Sequence, residues 1–241
     1  MIKAIVTGHS RGLGAGIAAA LLRRGAAVLG VARGGNAGLA AQGLQEATLD
    51  LADPQAVAAW LAEGTLTRFL GGATSAVLVN NAGVVTPVGP PGRQGAAALA
   101  QAVAINVTAP LQLADAFVAA TATCPDRRIV HVSSGAGRSP YAGWSVYCAT
   151  KAALDMHAQA VAQDGLPGLR IASVAPGVID TAMQAHIRGV EQRDFPALAR
   201  FVALQREGGL AGADDTGARL VDYLLGDGFG NSQVTDLRAL S

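Results

Sequence analysis

Ile2-Lys3-Ala4-Ile5-Val6-Thr7-Gly8-His9-Ser10-Arg11-Gly12-Leu13-Gly14 decides how this chain is read. Ile2 to Thr7 has the composition of a buried strand, three glycines crowd the next seven positions, and an Ala/Leu run ending near Arg24 follows at helical spacing. Strand, glycine-rich turn and helix form a unit with one physical use. Gly8 permits the tight turn, Gly12 removes the Cβ that would keep a phosphate from the backbone, and Gly14 allows the helix to approach the strand. The free N–H groups of the helix start, reached through Ser10, Arg11 and Leu13, then face a pyrophosphate.

Outward from this unit the same rhythm repeats. Seven apolar runs, at 2–7, 27–32, 46–50, 76–80, 128–133, 170–175 and 233–237, alternate with Ala/Leu stretches of helical period. That is the pattern of βα units feeding a parallel sheet. The expected fold is therefore α/β, a three-layer αβα Rossmann-type sandwich on a seven-stranded parallel sheet, built from one domain over 1–241. Gly34, Gly35, Gly38 and Gly43 make the second gap a poor helix, and Pro87, Pro90 and Pro91 mark a loop after the fourth strand. The stretch 181–212 breaks the rhythm and reads as a mobile insertion over the carboxyl ends of the strands, the edge where open α/β sheets bind ligands.

Composition narrows the function. The chain has 241 residues, 51% hydrophobic and 15% charged, with 18 basic against 17 acidic side chains and a net charge of +1. No basic excess points to nucleic acid or an acidic membrane surface. The apolar run Leu13 to Leu22 is too short to span a bilayer, and no secretory leader opens the sequence, so a cytoplasmic location is expected. Cys124 and Cys148 lack the spacing of a disulfide framework or a zinc site and read as reduced thiols. His9, His131, His157 and His186 form no ligand spacing, and no metal is assigned.

The second strand ends in Ala32-Arg33 rather than in a carboxylate. An acid there would hold a ribose 2′-hydroxyl, whereas arginine accommodates a 2′-phosphate. Arg11 and Arg33 together favour NADP(H), the alternative being two ordinary surface arginines. Tyr147-Cys148-Ala149-Thr150-Lys151 sets a phenol and an ammonium on one helix face, where a cation is expected to lower the phenol's pKa toward the range of a working acid or base. Lys151 is one of only two lysines, against 16 arginines. Upstream, Ser133-Ser134 closes the fifth strand on the same sheet edge as the glycine turn.

With these residues in order, the chain resembles the short-chain dehydrogenase/reductase family. The resemblance rests on the Thr-Gly-x-x-x-Gly-x-Gly turn, Asn80-Asn81-Ala82-Gly83, Ser134, Tyr147-x-x-x-Lys151, and Pro176-Gly177 followed by Thr181, and spans essentially the whole chain. It implies that Tyr147 donates a proton to the substrate oxygen, that Ser134 positions that oxygen, and that Lys151 lowers the tyrosine pKa and holds the nicotinamide ribose. Asn106 matches the family's fourth catalytic position, whose backbone carbonyl holds a relay water. Pro110, four residues on, has no N–H, so in a helix the Asn106 carbonyl is left without its usual donor. The resemblance further implies cofactor contacts at Asp50 and Leu51 near the adenine, at Asn81, Ala82 and Gly83 by the adenosine ribose, and at Pro176, Gly177, Ile179 and Thr181 around the carboxamide. Asn80 and Asn81 are alternatively structural braces, and His131, between Val130 and Val132, reads as packing.

Gly143-Trp144-Ser145-Val146-Tyr147 and Asp180-Thr181-Ala182-Met183 resemble the sepiapterin reductase and benzil reductase branch. Ala182 stands where sepiapterin reductases carry a pterin-anchoring aspartate. Tyr141, Trp144, Met183 and Phe195 suggest an apolar pocket for a ketone, aldehyde or 1,2-diketone, with Trp144 alternatively a core residue. The expected activity is NADPH-dependent carbonyl reduction. The alternatives are an alcohol dehydrogenase running in the oxidising direction and a non-catalytic dinucleotide-binding regulator. The family pairs through the helices carrying Asn106 and Tyr147, which implies a homodimer or homotetramer acting on a small-molecule carbonyl substrate.

Overall fold

A computed structural model describes residues 1–240. All seven strands form one parallel sheet in the order β3-β2-β1-β4-β5-β6-β7. They are β1 (Ile2–Thr7), β2 (Ala27–Ala32), β3 (Gln45–Thr48), β4 (Ser75–Asn80), β5 (Asp126–Val132), β6 (Leu169–Ala175) and β7 (Val234–Asp236). The sequence reading places each of them within about two residues. The third ends earlier than expected, at Thr48, because Leu49 and Leu51 leave the sheet and pack beneath it with Val57 and Leu66. Strand order reverses between β1 and β4, and their carboxyl ends frame the crevice where ligands of such sheets lie.

Helices cover both faces. On one, α1 (Gly12–Arg23) and α10 (Ala213–Leu225) bury Ile17, Leu21, Leu220 and Leu224 against β1 and β4. On the other lie α3 (Pro54–Ala62), α4 (Thr65–Leu70), α6 (Ala109–Ala120) and α7 (Ser145–Gln163), burying Val57, Leu66, Leu113, Phe117 and Ala158. The glycine-rich second gap yields only the single turn α2 (Ala37–Ala40), capped by Asn36.

The helix preceding α6 begins as α5 (Ala96–Val103) and continues through a π-turn, Ala104–Thr108, in which Ala109 N–H reaches back five residues to the Ala104 carbonyl. The whole segment Ala96–Ala120 is long and apolar enough to cross a bilayer by length and composition, yet Ala102, Ala109, Leu113 and Phe117 are buried in the fold.

The stretch 181–212 carries secondary structure of its own. It folds as α8 (Ala182–Arg188) and α9 (Leu198–Arg206), and the bridge Ile179–Ala211 closes its base. Between the two helices Phe195 is fully buried, and this anchors the segment on the body of the protein.

Candidate active site

Three strand ends and one helix converge at the carboxyl edge. Tyr147 and Lys151 lie one turn apart on the buried face of α7, both under a tenth exposed. Ser134, just past β5, caps a 3-10 turn by accepting from Ala136 N–H at 3.2 Å, and its hydroxyl stands beside the Tyr147 phenol. The Lys151 ammonium donates to the Val132 carbonyl at 2.8 Å and lies 5.7 Å from the centroid of the Tyr147 ring. The expected depression of the phenol is not found. Burial, which penalises a phenolate, pushes Tyr147 up to about 12, against the pull of Ser134. Lys151, spending a proton on a backbone carbonyl and standing over the ring, contributes no comparable pull.

Asn106 sits in the π-turn and is 1% exposed. Its side chain is spent on structure. Oδ1 accepts from Val84 N–H at 2.8 Å, while Nδ2 donates to the Val84 carbonyl at 2.8 Å and to Thr150 Oγ1 at 3.1 Å. The loop after β4 is thereby clamped to α7. Pro110, four residues on, has no N–H to offer the Asn106 backbone carbonyl.

The glycine turn is braced from behind. Asn81 Nδ2 donates to the Thr7 carbonyl at 2.8 Å, and Thr7 Oγ1 accepts from the N–H groups of Asn81 and Ala82 at 2.9 and 3.0 Å. Asn80 donates to the Pro110 carbonyl. Both asparagine side chains thus brace the scaffold, the alternative reading of that pair. A Cβ on Gly14 would strike the Gly8 carbonyl, and Gly12, at φ +56°, faces Thr181, whose Cγ2 would lie 3.3 Å from a Cβ there. The start of α1 carries no side-chain cap. Uncapped N–H groups, a cradle that a Cβ would fill and the Pro176–Thr181 segment opposite together fit a dinucleotide pyrophosphate. Arg11 and Arg33 are both exposed, and neither pairs with a carboxylate among the described residues. Asp50 is exposed with its carboxylate on Ala52 N–H, and Leu51 is buried.

The substrate side differs from expectation. Trp144 is 4% exposed and stacks on Phe195 at 4.4 Å between centroids, with Tyr147 at 5.3 Å and Phe201 at 5.3 Å. Trp144 and Phe195 are therefore the core of the wall rather than its surface. Trp144 takes the core alternative because the 181–212 segment, through Phe195 and Phe201, folds back over the indole, which nothing local in the sequence shows. Tyr141 and Met183 remain partly exposed at the cluster's edge, with the Tyr141 hydroxyl accepting from Arg200 at 3.1 Å.

Several partners escaped the sequence reading. His9, 1% exposed, bonds through Nε2 to Glu46 Oε1 at 2.8 Å, and the same oxygen accepts from Asn36 N–H at 2.6 Å. Asn36 Nδ2 in turn donates to the Ser10 carbonyl at 3.1 Å. This network ties the phosphate turn to the loop bearing Arg33. His131 is packing, as expected, but polar packing. It bonds Asn80 at 3.2 Å and His157 at 3.0 Å, and burial drives it down to about 3. Asp155, buried two turns beyond Tyr147, bonds Ser133 and Ser173. Each of these links joins residues distant in sequence.

Comparison with known proteins gives the family. The family described as short chain dehydrogenase matches residues 3–192. A benzil reductase ((S)-benzoin forming) of Bacillus cereus is 35% identical over 240 residues, covering 95% of this chain and 96% of its own. The sepiapterin reductase of Rattus norvegicus is 33% identical over 135 residues, covering 55% of this chain and 51% of its own. Among solved structures, a short-chain dehydrogenase/reductase from Burkholderia vietnamiensis is 48% identical with a TM-score of 0.72, covering 100% of this chain and 98% of that one. A structure from Beutenbergia cavernae, described as a candidate NAD(P)-dependent gluconate 5-dehydrogenase with NADP at low occupancy, is 26% identical with a TM-score of 0.81, covering 98% of this chain and 94% of that one.

Proposed function

This chain belongs to the short-chain dehydrogenase/reductase family, an oxidoreductase of carbonyl and alcohol groups, and within that family we propose that it is an NADPH-dependent carbonyl reductase acting on apolar ketones, aldehydes or 1,2-diketones. The observation that carries the reading is the meeting of Ser134, Tyr147 and Lys151 at one sheet edge beneath an aromatic wall.

Bound NADPH would supply the hydride that adds to the carbonyl carbon. The chain's part is the proton. A phenol pushed up to about 12 by burial is fully protonated at neutral pH and stands ready as a donor. Tyr147 would transfer its proton to the carbonyl oxygen as negative charge grows there, while the Ser134 hydroxyl would donate to and orient the same oxygen. Lys151, close to the ring, stabilises the phenolate left behind and would hold the nicotinamide ribose. The Asn106 carbonyl would seat the water through which Tyr147 is reprotonated. Cofactor contacts fall to Gly8, Gly12, Gly14 and the uncapped start of α1, with Arg11 and Arg33 toward the 2′-phosphate.

Tyr141 and Met183, the partly exposed edge of the aromatic cluster, support an apolar substrate, and the 95% coverage by a benzil reductase supports a diketone in particular. Ala182 offers no carboxylate to a pterin. Free Cys124 and Cys148 suit a reducing compartment, and the cytoplasm is our assignment. Pairing into a homodimer or tetramer is assigned to the face of α5 and α7, where Val103 and Met156 are 44% and 64% exposed beside a groove lined by Leu99, Val107 and Ala153.

The test is loss of NADPH absorbance against aryl ketones, 1,2-diketones, aldehydes and sepiapterin, in the parent and in Tyr147→Phe. The parent should turn over diketones in preference to sepiapterin, and the variant should lose at least about a hundredfold in kcat with NADPH affinity kept. A variant as active as the parent removes Tyr147 from proton transfer.

A further inference from the structure

The buried face of α7 carries a third ionisable group for which the reaction as described has no use. Tyr147, Lys151 and Asp155 recur one helical turn apart, and all three are buried. Asp155 Oδ1 accepts from Ser133 Oγ at 2.6 Å and from Ser173 Oγ at 2.7 Å. Oδ2 has Arg138 Nε at 3.5 Å and no hydrogen-bond partner among the described residues. Gly137 makes room for that oxygen, since a Cβ there would lie 2.9 Å from it.

A carboxylate taken out of water costs several kcal/mol unless its charge is met. Two hydroxyls and one loosely placed guanidinium meet it incompletely. The other cation on this face is Lys151, one turn back. Ser133, meanwhile, is the residue before Ser134, so the same carboxylate ties the end of β5 to the helix that carries Tyr147.

We propose that Asp155 is a positioning residue for the reduction, a buried counter-charge to the Lys151 ammonium one turn back on the same helix face that, through Ser133, also fixes the strand end bearing Ser134. This rests on Tyr147 and Lys151 being the reacting pair. Burial lowers Lys151 to about 8, and Asp155 is what pulls it back up. Without the carboxylate the amine would lose its proton within the working pH range and could not stabilise a phenolate. The other titratable groups facing this patch are His131 on β5, kept uncharged by burial, Tyr147 itself, and Asp236 on β7, which also neighbours Arg138.

The chain has only two lysines, Lys3 and Lys151. Labelling lysine with 13C at Cε and 15N at Nζ in a Lys3→Arg background therefore leaves one side-chain signal, whose titration reads Lys151 directly. Asp155→Asn keeps the shape and the serine contacts but removes the charge, and should move the midpoint down by about one pH unit, a tenfold loss of proton affinity. With benzil as substrate, the alkaline limb of kcat should move down with it while KM stays near the parent value. An unmoved Lys151 midpoint overturns the proposal. Should Asp155→Asn fail to give a cooperative melt, Arg138→Gln decides: with the guanidinium facing Oδ2 gone, a carboxylate coupled to Lys151 must raise its midpoint, and no rise overturns the proposal equally. A parent that reduces no carbonyl would sink the reductase reading, while the lysine titration still decides the role of Asp155.

Discussion

Acidification should destabilise this protein through one buried ring, and the hydrogen bonds say which nitrogen is responsible. The Pro110 carbonyl can only accept, so the Asn80 side-chain atom 3.3 Å from it is the amide nitrogen. That nitrogen also lies 3.2 Å from His131 Nδ1, which must then be the acceptor. The His131 proton is therefore on Nε2 and is donated to His157 Nδ1 at 3.0 Å. A second proton on His131 would have to enter at Nδ1, pointing at a donor, in a site with no water contact. This is the structural origin of a pKa lowered from 6.5 to about 3 by burial, with His157 and Lys151 adding to the effect. A depressed histidine contributes stability that is present above the unfolded pKa and is lost as pH falls toward the folded one. At about pH 5 the unfolded chain out-binds the native one by about thirtyfold, which is about 2 kcal/mol, or a fall in Tm of about 4–8 °C for a chain of this length. His157, lowered in the same direction, adds to the loss. Lys151 is already protonated in both states below about 7, and Glu46, Asp126 and Asp236, all lowered, titrate beneath this window. Thermal melts of the parent and of His131→Leu between about pH 7.5 and 5 test it. The variant's acid-dependent loss should shrink below about 1 kcal/mol. Equal slopes in the two proteins, or a His131 ring titrating near its ordinary pKa in long-range 1H–15N spectra, would refute the argument.

Two further outcomes follow from the cofactor crevice. Arg33→Asp should raise KM for NADPH about ten- to a hundredfold, the worth of a charge-assisted bond to phosphate, and leave NADH unchanged or improved; steady-state kinetics with both cofactors checks this, and equal effects on the two would remove Arg33 from 2′-phosphate recognition. Gly30→Ala places a methyl group against the His9 ring and should cost about 1–3 kcal/mol in a denaturant melt while weakening NADPH binding; most of that cost should vanish in a His9→Ala background, and additive effects in the double variant would mean the clash is relieved elsewhere.

What was legible in the sequence is what depends on short range or on wholesale burial. Strands β1, β4 and β5 are buried on both faces, so they read as apolar runs whose ends can be counted. Tyr147 and Lys151 are legible because one helix turn brings them together without help from any other element. The polar core was not legible for the opposite reason. Nothing in Val130-His131-Val132 announces a hydrogen bond, and only the β4–β5 register, which sets Asn80 beside His131, creates one. Likewise β6 sets Ser173 against His131 in register, and the Asp155 carboxylate arrives from a helix packed over both. Trp144 shows the same limit on the apolar side, since its burial is decided by Phe195 and Phe201 some fifty residues later.

Glu46 bears on the choice of cofactor, because it puts an acid close to where the absence of one was the argument for a 2′-phosphate. Its carboxylate reaches the loop beyond Arg33, within 3.0 Å of where a Gly35 Cβ would stand. With its acceptors free, it would serve a ribose hydroxyl. It is not free. The Asn36 N–H first, and then His9, hold it below the usual carboxylate range, and Oε1 is turned inward to both. Gly30 is what admits the His9 ring to that position, since any side chain there would overlap it. The acid near the second strand is thus absorbed into the scaffold of the phosphate turn, while Arg11 and Arg33 stand exposed with no carboxylate partner among the described residues. The proposed preference for a 2′-phosphate therefore rests on Arg11 and Arg33 outweighing Glu46, whose hydrogen bonds occupy one oxygen but keep its negative charge at this edge.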